Sequence, residues 1–274
     1  MSVPHRISSN IAHKDKSDSI TNLRLLAPSY QRRFSTIIHL TGKLGEILDL
    51  GCADGFYSKA IACSRNRVTG VDINTAFLDE TSIDDNPRFI AADATNLPFN
   101  NNHFDTVICV DMLEHVAQDG LVIKEIHRIL KPRGQLVISV PNKKYPATYD
   151  PINTLLTPFN RHLSIGIWGF GHRRLYSPEG LKTALENSGF EQAEITFLTH
   201  GFAAFFESYI STIFQWVAIR EKTRCHQRNI STIGEYLYRL GCKITNKINV
   251  MDARICATSR TSVGFVITTI KNER

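Results

Sequence analysis

The chain has 274 residues, 42% of them hydrophobic and 21% charged. That balance excludes a disordered protein, a collagen-like fibre and a coiled coil, and it suffices for one large domain or two small ones. The net charge of +6 is concentrated, because residues 200–261 hold nine Lys/Arg against four Asp/Glu and the remainder is nearly neutral. The six cysteines form no Cys-x-x-Cys pair and no zinc-like spacing, and residues 1–20 contain no apolar signal segment. Reduced thiols and a cytoplasmic protein are therefore expected.

Residues 1–20 read as a flexible polar tail. From Leu44, apolar runs at 46–50, 67–72, 88–93, 104–110 and 134–140 alternate with helical segments at 56–64, 75–83 and 116–130. Strands alternating with helices at this density predict βαβ units and a mostly parallel sheet. Lys131-Pro132-Arg133-Gly134 predicts a helix stop and a turn into the next strand. Prolines at 141, 146, 151 and 158 break the alternation, so 141–177 reads as an irregular lid. Ser177 and Pro178 predict an N-cap and first helical residue, with the helix stopping at Gly189. Two more strands are expected at about 193–199 and 262–270.

Between those strands lie about sixty residues, 200–261, read as a helical insertion. Phe202, Phe205, Phe206, Tyr209, Ile213, Trp216 and Val217 share one helical face, while Glu207, Ser211 and Gln215 form a polar stripe that argues against a membrane span. Ile233, Leu237, Leu240, Ile244 and Ile248 share a second face, flanked by Arg239, Lys243 and Lys247. Such helices either pack on the sheet or a second subunit, or lie on an anionic membrane surface or along a lipid-like acceptor.

The sharpest local feature is Leu48-Asp49-Leu50-Gly51-Cys52-Ala53-Asp54-Gly55 at the end of the first strand. Gly51 and Gly55 permit a tight turn and close approach to a ligand, with a helix N-terminus behind them. Asp72 ends the second strand, where a carboxylate can take both ribose hydroxyls, and Asp93 ends the third. These positions line the carboxyl edge of a parallel sheet, where open α/β sheets bind ligands. The pattern Gly-x-Gly-x-x-Gly fails, with Ala53 and Phe56 in place of glycines, and no Gly-Lys-Ser/Thr follows. Dinucleotide binding and a P-loop are therefore excluded.

The runs ILDLGCADG, VTGVDIN, ADATNLPF, FDTVICVDMLEHV and LKPRGQLVISVPN, in that order, resemble class I S-adenosylmethionine-dependent methyltransferases of the type 11 group, over about residues 44–199. The resemblance implies an α/β fold: a doubly wound, Rossmann-like seven-stranded sheet with its last strand antiparallel and a helical insertion before it. The core would be 21–199 with 262–274. It implies S-adenosylmethionine as cofactor, with Asp49, Gly51, Cys52, Ala53 and Gly55 shaping the turn under its methionine part. Asp72 would take the ribose hydroxyls and Ile73 would lie against the adenine. Asp93 would accept from the adenine amino group beside Ala94, and Val110 would offer its backbone near the sulfonium. Ala53 departs from the family's usual Gly, and binding should survive if its φ is negative.

Two histidines are candidate bases, His115 and His172. Asp111-Met112-Leu113-Glu114-His115 resembles the acidic-x-x-Glu-His run of quinone-pathway O-methyltransferases, which can hold a divalent metal. Leu-Glu-His-Val is common across the whole group, however, so no metal is assigned. His172 either acts as base or holds the lid closed. No Asn/Asp-Pro-Pro-Tyr/Phe run and no Pro-Cys follow the fourth strand, so nucleic acid is not an expected partner. The expected acceptor is a small-molecule or lipid-like compound, methylated on oxygen, with membrane-surface contact through the insertion. A non-catalytic scaffold of the same fold and an RNA-modifying methyltransferase are the alternatives.

Overall fold

The computed structural model describes residues 25, 27–42, 44–74, 85–145, 150–163, 171–200, 203, 232–256, 259 and 261–273. The expected tail 1–20, the helix at 75–83 and the aromatic face at 202–217 apart from Ala203 lie outside the described residues. The elements run α1 (Pro28–Leu40), β1 (Gly45–Leu50), α2 (Phe56–Ile61), β2 (Asn66–Asp72), β3 (Arg88–Ala91), β4 (Phe104–Val110), α3 (Asp119–Ile129) and β5 (Leu130–Pro141). Then follow α4 (Pro151–Leu156), α5 (Pro178–Glu186), β6 (Phe190–Phe197), α6 (Thr232–Ile255) and β7 (Gly264–Lys271).

The seven strands form one sheet in the order β3-β2-β1-β4-β5-β7-β6, with β7 antiparallel to both neighbours and the other pairings parallel. β1 lies inside the sheet, next to the central strand β4. The chain reverses its direction of travel between β1 and β4, which opens a crevice at their carboxyl ends.

Both faces of the sheet are covered, and side chains alternate between them. Ile47, Ile108, Val137 and Val266 face α1 and α2, where they meet Phe34, Ile37, Tyr57 and Ile61. Leu48, Cys109, Ile138 and Ile267 face the other way, onto Val122, Ile126 and Ile129 of α3 and Leu181 and Leu185 of α5. α5 starts as its sequence predicts: Ser177 Oγ accepts from the Gly180 amide at 3.2 Å, and Pro178 is the first helical residue.

Several boundaries differ from expectation: α2 ends at Ile61 rather than 64, and α4 lies inside the lid read as irregular. The Lys131–Gly134 turn is a bulge inside β5, because Leu130 pairs with Phe104 and Gln135 with Thr106, while Arg133 takes φ 63°. The helix expected from residue 116 begins at Asp119, after a short 3-10 turn over Leu113–His115. β3 stops at Ala91, two residues before Asp93. β6 starts at Phe190 rather than 193, because a register shift between Glu191 and Glu194, with Gln192 at φ 56°, interrupts its alternation.

Candidate active site

The Gly turn leaves β1 as a tight loop. Gly51 and Cys52 amides both donate to the Val71 carbonyl, at 2.7 and 3.0 Å. Gly51 has φ 79°, and a Cβ there would run into the Met112 side chain, so glycine is required twice over. Gly55, at φ 74°, caps α2. Asp49 is buried under the turn and its Oδ2 accepts from Ser58 Oγ at 2.6 Å, fixing β1 to α2. Burial pushes its pKa up to about 6, against that hydrogen bond.

Ala53 does not meet the condition of a negative φ: it is left-handed, at φ 48°. The cause is visible. Its amide donates to Asp72 Oδ2 at 2.9 Å, which ties the turn to the end of β2. Asp72 Oδ1 accepts from the Asn74 amide at 3.0 Å, so the carboxylate is aimed by two backbone donors with its outer lone pairs exposed. Ile73 beside it is 79% exposed, an isolated apolar surface at the rim. Asp93 is held by the Thr95 amide and hydroxyl, both at 2.8 Å, which keep its pKa below the usual carboxylate value. Ala94 packs against the core next to it.

A cleft of about 210 Å³ joins Asp49, Gly51, Cys52, Ala53 and Val110 to four residues that sequence reading did not select: Tyr30, Arg33, Phe56 and Tyr57. Tyr30 and Arg33 come from α1, which therefore roofs the turn. Arg33 forms an ion pair with Asp111, also in the cleft. Burial works against the Arg33 charge, but Asp111 and the hydroxyls of Tyr57 and Tyr30 outweigh it and raise the pKa. Phe34 of α1 stacks at a tilt on Phe56 at 4.9 Å and Tyr57 at 5.7 Å, which sets the distance between roof and turn.

Three residues past Asp111, a second group assembles. Glu114 is fully buried, and neither of its carboxylate oxygens has a hydrogen-bond partner among the described residues. His172 Nε2 lies 3.9 Å from Glu114 Oε1, and the His115 and His172 rings are 4.8 Å apart. Both predicted histidines thus converge, beside Glu114. Glu114, His115 and His172 each bring a ligand-capable atom within 4.8 Å of the others. Asp111, the first acid of the predicted run, is outside that group, because Arg33 and Ser139 Oγ hold it. Burial, then the charge of Asp111, pushes the Glu114 pKa up to about 8.

The lid strand carrying His172 is clamped onto the chain after β4. The Arg173 amide donates to the Glu114 carbonyl at 2.9 Å, Arg174 pairs with Asp119, and Tyr176 Oη donates to Asp119 Oδ2 at 2.6 Å. An isolated bridge pairs Asn142 with Tyr176.

Residues 48–138 match the family model described as a methyltransferase domain, about a third of the chain. A ubiquinone biosynthesis O-methyltransferase of Pseudomonas aeruginosa is 34% identical over 116 residues, covering 40% of this chain and 49% of that protein. The Pseudomonas entomophila protein of the same name is 33% identical over 150 residues, covering 51% and 62%. The chain thus spans about half to three-fifths of the relatives it matches. Among solved structures, the [4+2]-cyclase SpnF aligns with TM-score 0.55 at 20% identity over 89% of this chain and 81% of its own. Phosphoethanolamine N-methyltransferase 2 of Haemonchus contortus, in complex with S-adenosyl-L-methionine, aligns with TM-score 0.52 at 18% identity over 93% of this chain and 53% of its own. At these identities the likeness shows the fold, and the cyclase illustrates that the fold alone does not set the reaction.

Proposed function

We propose that the chain carries a class I S-adenosylmethionine-dependent methyltransferase domain of the type 11 group and that it methylates an oxygen of a small, partly apolar acceptor. The observation that carries this reading is that the Glu114–His115–His172 group begins three residues past Asp111, which lines the roofed Gly51 cleft. In this reading residues 21–199 with 262–274 are the core and 200–261 an insertion. An acceptor of this kind partitions into membranes, so a position at a membrane surface is part of the proposal.

The cofactor residues fit their group: a turn with no room for a Cβ at Gly51, an aimed and exposed Asp72 carboxylate, and an open apolar rim at Ile73. Asp72 would hold the ribose hydroxyls and Ile73 the adenine face. Asp93 and Ala94 would flank the adenine edge. Cys52, Ala53, Gly55 and Val110 would present backbone along the rest, with Asp49 bracing the turn through Ser58. S-adenosylmethionine, when bound, supplies a methyl group already activated on a sulfonium. The chain's own tasks are to align the acceptor, exclude water and take a proton.

His172 is the base in this proposal. It takes the proton that the acceptor's hydroxyl gives up. His115, which packs on the His172 ring and reaches the Gly171 carbonyl at 3.3 Å through Nδ1, orients that ring. A second reading has Glu114, His115 and His172 holding a divalent cation that acts as a Lewis acid on the acceptor oxygen. The observation favouring it is the buried Glu114 carboxylate with no hydrogen-bond partner among the described residues.

The test is transfer of a radiolabelled methyl group into separated lipid, small polar, protein and RNA fractions of a cell extract. Label in the lipid or small-molecule fraction is expected. Label in RNA supports the RNA-modifying alternative, and no label with intact cofactor binding supports the scaffold. With the acceptor found, His172→Gln should lower kcat by about 100-fold at neutral pH and leave cofactor affinity unchanged. A normal rate in His172→Gln would remove the base, and activity lost in EDTA and restored by a divalent cation would select the metal reading.

A further inference from the structure

α6 is amphipathic in an unusual sense, because it buries its polar side. Thr245, Asn249 and Asp252 are each 5% exposed or less. Asn249 Nδ2 donates to the Pro28 carbonyl at 3.1 Å and to Gln31 Oε1 at 3.2 Å, both on α1. Asp252 accepts from the His200 amide at 2.7 Å and the Ala203 amide at 3.0 Å. These bonds fix which way the helix is turned. They leave Ile244, Met251 and Ile255 outward at 49%, 42% and 66% exposure, with Ile248 half-buried between them. At 3.6 residues per turn these four side chains fall within an arc of about 60°. Lys243, Lys247 and Arg254, all exposed, line the border of that stripe away from the buried side. The single acid between 243 and 256 is Asp252, which is 1% exposed.

We propose that this outward face of α6 docks the protein on an anionic lipid bilayer. An aliphatic stripe bordered by cations is the pattern of a helix lying in the plane of a bilayer interface. Its apolar side chains enter the acyl boundary, and its Lys and Arg stems reach along it to the phosphates. Charge decides between occupants. Over residues 243–256 a second copy of this chain brings no exposed acid to neutralise the basic row. Nucleic acid has no use for the aliphatic stripe. Among the described residues no helix is long and apolar enough to cross a membrane. Because the buried side of α6, about a quarter-turn from the stripe, is bonded to α1, the roof of the cofactor cleft, docking by this face holds the cleft near the surface where an apolar acceptor resides. The proposal rests on the membrane part of the proposed function and is independent of the acceptor's chemistry.

The test is sedimentation of the full chain with vesicles, with cofactor affinity measured calorimetrically on the same samples. Phosphatidylcholine vesicles containing phosphatidylglycerol should pellet the wild type, and phosphatidylcholine alone should not. Substituting Lys243, Lys247 and Arg254 together by Gln should weaken the partition by about 100-fold. Ile244→Ser, Met251→Ser and Ile255→Ser combined should abolish it. Both variants change exposed side chains and should keep cofactor affinity. A wild type that stays in solution, or a triple Ser variant that still pellets, overturns the proposal. So does a wild-type dimer that the triple Ser variant splits without any vesicle binding. Loss of cofactor binding in the wild type would instead count against the methyltransferase reading.

Discussion

Ala53 shows how single residues carry both the turn and its cost. A left-handed Ala costs roughly 1 kcal/mol or more against Gly, and the Asp72 carboxylate holds it there through the Ala53 amide. Ala53→Gly should therefore raise the melting temperature by about 2 °C, read by thermal denaturation, with cofactor binding retained. Glu114 carries a different cost. Its native pKa of about 8 is above its ordinary value, so the native state must ionise a buried group as pH rises, and stability falls through that range. Glu114→Gln removes the titration. Its melting temperature should gain on the wild type between pH 5 and pH 9, and a constant difference across that range would contradict the burial argument. Gly51, Gly55 and Asp72 were legible from sequence because a strand-end turn demands those residue types locally. Tyr30 and Arg33 were not, since their roles depend on where α1 lands. Glu114 gave a partial signal as part of the acidic-x-x-Glu-His run, yet the contact with His172 spans the whole lid.

Among the elements, α1 and α4 lie outside the strand–helix alternation from which the fold is read, and α1 bears on the site. Its signals were present: Pro28 at the helix start and Tyr30, Phe34, Ile37 and Ile38 at helical spacing. They were obscured because the polar tail leads into them and the strand–helix alternation starts only at Leu44. The roof it forms is an apolar joint, with Phe34 set against Phe56 and Tyr57. Phe34→Ala should cost about 3 kcal/mol in urea denaturation and weaken cofactor binding, because the roof loses its seat on the turn. The β4 strand, a nearly continuous apolar run, was placed to the residue, as expected for a strand buried on both faces. The bulge in β5 and the one in β6 were not placed, because a register shift is set by the neighbouring strand and leaves no period in its own sequence.

For the molecule as a whole, the order β3-β2-β1-β4-β5-β7-β6 places the reversal of the chain between β1 and β4, and the candidate cofactor residues lie at the carboxyl ends of β1, β2, β3 and β4 or on the loops that follow them. The five motifs in order made this arrangement legible. The connection from α6 to α1 was not, since it joins residues 221 apart. The central claim is that this edge binds S-adenosylmethionine, and calorimetric titration of the full chain with that compound tests it most directly. The wild type should bind at a single site, and Asp72→Ala, which removes the carboxylate together with its hold on the Ala53 amide but leaves the roof in place, should weaken binding by at least about 30-fold. No heat of binding in the folded wild type, or an unchanged affinity in Asp72→Ala, would contradict the account.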